Sequence, residues 1–303
     1  MSAGHQHSPR ADLGSRRLAI AVAINMLLTV AQVIGGVLSG SLSLIADALH
    51  NFSDAAGLLL ALIARRISKR PADEQRTFGY GRAEVVGGLI NLTSIMVIAV
   101  YLLIEAINRV FERPEIHGWT VVIVAGIALI VDTATAVLTY SMSKDSVNIK
   151  AAFLHNLSDA LASVAVIISG TLIILFNWYW TDIAATVGIS VYIVWISWPP
   201  MKRCIRILMQ SVPDHLSVDA IAKSIKGVDG VEQVAHVHVW PIDEHTVSVE
   251  ARVAMSEDAS LTSAHELRRH LNSILEERFG IHHATIEILP KGTLANEETI
   301  VAH

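Results

Sequence analysis

The sequence predicts an α-helical multi-pass membrane protein of six transmembrane helices, followed by a C-terminal cytosolic α+β domain with a ferredoxin-like layer. Three observations lead there. Hydrophobic residues make up 52% and charged residues 17% of the 303, against about 25% charged in ordinary globular domains. Uncharged runs recur that are long enough to cross about 30 Å of hydrocarbon, which takes about 20 helical residues. Charge is also partitioned: 16 Lys and Arg against 13 Asp and Glu up to Pro213, then 7 against 15 beyond it. An apolar, slightly basic block thus precedes an acidic, water-soluble tail of net charge −8.

The elements follow in order. Residues 1–17 are polar and lack a small-residue cleavage site, so they read as a cytoplasmic arm and the first apolar run as part of the mature chain. Leu18–Ala46 carries no charge, but Gly35-Gly36 and Ser39-Gly40-Ser41 divide it. Span 1 is therefore expected over Leu18–Leu38 and span 2 from Leu42 to before Arg65. Val85–Ile104 is span 3, Trp119–Met142 span 4 with Asp132 inside it, and Ile149–Phe176 span 5. Ile183–Met201 is span 6, with Asp182 expected as its N-terminal cap and Trp178, Tyr179 and Trp180 as an interfacial belt. The six-helix domain covers 18–212. Arginine and lysine crowd the N-terminal arm, the 2–3 loop, the 4–5 loop and the exit of span 6, which sets both termini in the cytoplasm.

Beyond Pro213, Leu216–Lys226 has helical spacing, Val231–Trp240 and Thr246–Met255 alternate like half-buried strands, and Leu261–Phe279 is an amphipathic helix stopped by Gly280. His283–Leu289 alternates again, giving the order α-β-β-α-β over 213–290, with 291–303 expected as a flexible tail.

The chemistry sits in a repeat. Leu49-His50-Asn51-Phe52-Ser53-Asp54-Ala55 returns as Leu154-His155-Asn156-Leu157-Ser158-Asp159-Ala160, inside spans 2 and 5. Each copy is H-x-x-x-D, and residues i and i+4 of a helix leave the same face. Two such faces turned together supply His50, Asp54, His155 and Asp159, a tetrahedral complement for Zn²⁺. A purely structural role for these polar pairs is opposed by energy. An ionised Asp at the bilayer centre costs about 2.5–3.5 kcal/mol, and Asp47, Asp54, Asp132 and Asp159 have no Lys or Arg within any span to pair with. A bound cation, or protons in its absence, removes that cost. Asp47, three residues before His50, reads as an acceptor fixing the imidazole or as a proton site, and Asp132 as a proton site or a polar contact inside the bundle.

Other classes fall away. Cys204 is the only cysteine, which excludes an internal disulfide and a cysteine-rich metal site. No basic domain invites nucleic acid. No G-x-x-x-x-G-K-[ST] is present, so no nucleotide drives the protein, and no H-E-x-x-H suggests a metalloenzyme. Without a nucleotide, an ion gradient or a metal gradient itself is what is left as a source of energy.

Six spans, the duplicated H-x-x-x-D and the acidic tail resemble the cation diffusion facilitator family of metal/proton antiporters. Ser41-Leu42-Ser43-Leu44-Ile45-Ala46-Asp47-Ala48 and Asn148-Ile149-Lys150-Ala151-Ala152 strengthen the likeness, which covers roughly 16–290. The resemblance implies a homodimer in the bacterial inner membrane that exports Zn²⁺, with Cd²⁺ or Co²⁺ as secondary substrates, in exchange for protons. Another divalent metal as main substrate, or a passive cation channel, are the alternatives. The resemblance also implies that the 213–290 domain senses metal and dimerises. Nine of the fourteen histidines lie beyond Pro213, and His238, in His236-Val237-His238-Val239-Trp240, is implied as a cytosolic ligand with His265 and Glu287. Alternation puts His236 and His238 on one strand face. In the 2–3 loop, Asp73 matches a ligand position of some family members, but Arg76 and Tyr80 stand where they carry histidine, so the loop is expected to be a basic surface.

Overall fold

The computed structural model describes residues 26–112, 115–140, 147–255, 260–294 and 297–299, apart from the side chains of 138–140 and 147–155. The N-terminal arm and the start of span 1 lie outside this range. Among the described residues, six helices come first: α1 (Met26–Ser39), α2 (Leu42–Ser68), α3 (Arg82–Glu112), α4 (Gly118–Tyr140), α5 (Val147–Phe176) and α6 (Trp180–Leu208). Helices α3 to α6 each contain a stretch long and apolar enough to cross a membrane. Helix α2 is long enough at 27 residues, but Asp47, His50 and Asp54 dilute its apolar character. Leu27, Leu58, Ile104, Ile130 and Trp195 point outward, as a surface facing hydrocarbon requires.

The chain divides into two compact units. The first comprises residues up to Leu60 and Ile90–Pro199, with a core around Leu44, Leu102, Ile173 and Ile193. Small residues bring α4 and α5 close together. A Cβ on Gly118 would come within 2.7 Å of Ile174 and 2.8 Å of the Gly170 carbonyl, and one on Gly170 within 2.9 Å of Val122. Phe176, Trp178 and Trp180 form a ladder of rings 5.1 and 5.8 Å apart, where the aromatic belt was expected.

Asp182 departs from expectation. It lies in the first turn of α6, yet its carboxylate caps α2. It accepts from the hydroxyls of Ser41 and Ser43, each at 2.6 Å, and from the backbone N–H groups of Leu42 (2.8 Å) and Ser43 (3.3 Å). The first N–H groups of a helix have no intrahelical partner, and here an acid from 140 residues away supplies one. Arg109 of α3 donates to the Gly40 carbonyl and the His117 N–H to that of Ser39, fixing the same turn.

The second unit comprises Ala61–Leu89 and Pro200–His303. Its soluble part runs α7 (Val218–Lys226), β1 (Val231–Pro241), β2 (Val247–Met255), α8 (Leu261–Phe279) and β3 (His283–Leu289), in the order read from the sequence. Ser217 and Ser260 cap the two helices, and Gly280 ends α8 in the left-handed region at φ 66°. The sheet order is β1-β2-β3, with β2 antiparallel to β1 and parallel to β3, so α8 serves as the crossover. Ile221, Ile225, Leu267, Leu271 and Leu275 of the helices share a core with Val249, Ala251 and Val253 of the sheet.

Two expectations need correction in this domain. The segment after Leu289 is not free along its described length. Leu294 is fully buried against Ala235 and Ala254, Gln233 donates to its carbonyl, and Glu298 and Thr299 accept from the N–H groups of His236 and Val237. Strict alternation in β1 also fails: the register slips between Ala235 and His238, with His236 at φ 52°. The two histidine rings still meet edge to face at 4.7 Å.

Candidate metal centre

Three of the four motif residues are brought together by α2 and α5. His50 Nε2 lies 3.4 Å from Asp159 Oδ1 and 3.7 Å from Asp54 Oδ2. One ligand atom from each of these residues falls within 4.8 Å of the other two, the only such three-residue group of His, Cys, Asp or Glu among the described residues. His50 is 8% and Asp159 6% exposed, while Asp54 is half-buried. The helical period explains the arrangement: His50 and Asp54 leave one face of α2 a turn apart, and Asp159 faces them from α5. His155 occupies the turn before Asp159 on α5, and its side chain lies outside the described residues. Two carboxylates and an imidazole converging in a water-poor bundle form a donor set for a borderline divalent cation, and a cation between them offsets the repulsion of the two acids.

A second polar layer flanks the first. Asp47, fully buried, accepts from Gln32 Nε2 at 2.6 Å and from the Ser163 hydroxyl at 3.3 Å. The same hydroxyl lies 3.4 Å from Asp132 Oδ2. Asn51 Nδ2 donates to Gln32 Oε1 at 3.1 Å, closing a chain from α1 to α2. Gln32 and Ser163 were not singled out from the sequence. Their one signal there was a polar residue within an otherwise apolar span.

The cytosolic ligands expected in the tail do not converge among the described residues. Glu287 is engaged by Arg252 at 2.8 Å, and Arg252 also reaches Glu297. His265 lines a cleft with Arg268, Ile286 and Ile288. Because side chains alternate along a strand, Glu287 faces away from the side that Ile286 and Ile288 present to His265. His238 lies on β1, on the opposite side of β2 from β3. In the 2–3 loop, Asp73 is already satisfied: the Tyr80 hydroxyl and the N–H groups of Gln75 and Arg76 all donate to it. These bonds hold its carboxyl below the ordinary range, the Tyr80 bond most of all. The Arg76 guanidinium stacks over the Tyr80 ring at 4.9 Å.

A bundle of long apolar helices, a buried acid and imidazole cluster, and a soluble α+β domain define a membrane carrier of metal cations. The cation efflux transmembrane domain model matches residues 18–209, and the cation efflux protein cytoplasmic domain model matches 213–291. The chain belongs to the cation diffusion facilitator family of metal-efflux transporters. It is 33% identical to the metal cation efflux system protein CzcD of Cupriavidus metallidurans, over 95% of this chain and 90% of that protein. It is 32% identical to the zinc transporter ZitB of Pectobacterium atrosepticum, over 94% and 88%. A cadmium, cobalt and zinc/H(+)-K(+) antiporter of Bacillus subtilis is 29% identical, over 94% and 91%. A solved structure, the metal-bound C-terminal domain of the CzcD transporter, shares 23% identity over 24% of this chain and 99% of its own length, at a TM-score of 0.22.

Proposed function

We propose that the protein exports Zn²⁺ from the cytoplasm in exchange for protons, with Cd²⁺ and Co²⁺ as secondary substrates, through a site formed by His50, Asp54, His155 and Asp159. The observation that carries this reading is the convergence of His50, Asp54 and Asp159 from two helices onto ligand atoms within 4.8 Å of one another. The names of CzcD, ZitB and the cadmium, cobalt and zinc antiporter support the metal class. Neutral imidazole and ionised carboxylate bind metal and their protonated forms do not, so loading releases protons and discharge takes them up. Histidine, with an ordinary pKa near 6.5, suits that exchange at physiological pH. Asp47 and Asp132, joined through Ser163, stand beside the site as a place for a proton to rest.

In this reading both termini face the cytoplasm, the protein sits in a bacterial inner membrane, and two copies pair through the 213–290 domain. That domain acts as metal sensor, and 18–212 as the transport unit. The test is Zn²⁺ flux in proteoliposomes with and without an imposed pH gradient. Gradient-driven uptake is expected in the parent, with loss of flux in Asp54→Ala and Asp159→Ala. Flux indifferent to the gradient overturns the exchange, and near-parent flux in either variant overturns the site.

A further inference from the structure

On the first helix, Gln32 reaches across to α2 with both ends of its side chain. It is fully buried. Its amide uses both ends on α2: Nε2 donates to Asp47 Oδ2 at 2.6 Å and Oε1 accepts from Asn51 Nδ2 at 3.1 Å. Asp47 and Asn51 are one turn apart and bracket His50. Positions 47, 50, 51 and 54 form one stripe of α2, because residues three and four apart share a helical face. Holding 47 and 51 therefore fixes the rotation of the stripe from which His50 and Asp54 project. Only a side chain with a donor and an acceptor makes both bonds; a carboxylate offers acceptors alone. Helix α1 is also held close to α2 here, since a Cβ on Gly36, one turn further along, would lie 2.6 Å from the Ile45 side chain.

We propose that Gln32 is a positioning residue for the transport site: its amide clamps one turn of α2 so that His50 and Asp54 are presented to the metal in ligating geometry. The proposal rests on the metal-site reading above. It assigns α1 a part in metal affinity rather than in bundle stability alone. Partners that orient metal ligands are worth about 10–100-fold in affinity. Gln32 acts one step further out, so its loss is expected near the lower end.

The experiment measures Zn²⁺ binding by titration calorimetry on the full chain in lipid nanodiscs, and Zn²⁺ flux in proteoliposomes. The variants are Gln32→Met, Gln32→Glu, Asp47→Asn and the exchange Gln32→Glu with Asp47→Asn. Gln32→Met keeps the side chain's length without its hydrogen bonds and should weaken Zn²⁺ binding about tenfold. The KM for flux should rise by the same factor, with kcat little changed. Gln32→Glu alone sets two acceptor-only groups against each other, and Asp47→Asn alone removes the acceptor charge. The exchange restores both bonds with carboxylate and amide traded between helices, so it should bind Zn²⁺ more tightly than either of its single variants. A merely structural role moves melting temperature without this affinity pattern. Gln32→Met binding like the parent, or an exchange no better than its singles, overturns the proposal. His50→Ala keeps the two readings apart. Its loss of Zn²⁺ binding alongside unaffected Gln32 variants sinks the clamp alone, whereas unimpaired binding in His50→Ala sinks the site and the clamp with it.

Discussion

Replacing Asp182 by alanine would take away the acceptor of four donors at the start of α2. Two of them, the Ser41 and Ser43 hydroxyls, already lie 3.2 Å apart and would turn to each other. The N–H groups of Leu42 and Ser43 have no such recourse. Each of these two orphaned buried donors costs about 1–3 kcal/mol. Relief of a buried carboxylate offsets part of this, so a net loss of about 2–4 kcal/mol is expected. For a chain of this size that corresponds to a fall in melting temperature of about 3–6 °C. The assay is thermal unfolding of the full chain in detergent, followed by tryptophan fluorescence. Ser43→Ala should cost less than Asp182→Ala, and the double variant less than their sum, because the two share one bond. Melting of Asp182→Ala within about 1 °C of the parent, or strict additivity with Ser43→Ala, would refute the reasoning.

Three further outcomes are expected. His50→Asp exchanges an imidazole for a hard oxygen ligand and should shift flux preference from Zn²⁺ toward Mn²⁺; an unchanged metal ranking in competition assays counts against His50 as a ligand. Tyr80→Phe removes the main bond that lowers the Asp73 carboxyl. A depressed folded-state pKa stabilises above the ordinary carboxylate value near 4 and loses that contribution as pH falls through the lower value. NMR titration should therefore show Asp73 rising toward the ordinary value in Tyr80→Phe, and the variant's loss of stability should be full at pH 7 and shrink as pH falls through the acid range, where Asp73 is protonated in both proteins. Leu294→Ala should destabilise the soluble domain by about 2 kcal/mol, the low end for a buried leucine, since its partners Ala235 and Ala254 are small. Limited proteolysis after Leu289 checks this, with faster cleavage in the variant.

What could be read from the sequence was what repeats within one helix or strand. The H-x-x-x-D pairs announce their face because i and i+4 are fixed by the helical period, whatever the helix packs against. The order of α7, β1, β2, α8 and β3 followed from periodicity and from glycine at the end of α8. Contacts between elements distant in sequence were not legible. Asp182 looked like the cap of its own helix, because nothing local reveals that its carboxylate reaches Leu42. Gln32 showed no pattern, since its value depends on how α1 is rotated against α2. The bulge at His236 breaks an alternation that the residue types continue to suggest. Among the described residues after Leu289, Leu294 is the one buried apolar anchor, and the hydrogen bonds that tie this stretch to β1 are recorded by no propensity.

The close approach of α4 and α5 at Gly118 and Gly170 sets a tolerance on the spacing of His50 and Asp159 from a distance. Gly170 lies 11 residues beyond Asp159 on the same helix, about 16 Å along its axis. A methyl group added there would meet Val122 at 2.9 Å, and relieving it to ordinary contact requires α5 to stand off α4 by up to about an ångström. A stiff helix transmits that tilt. The opening between His50 and Asp159 is itself only 3.4 Å, so an error of that size at one end becomes a sizeable fraction of the aperture at the other. The two glycines thus act as spacers of zero thickness, and the gap between His50 and Asp159 is gauged partly by residues that never come near it.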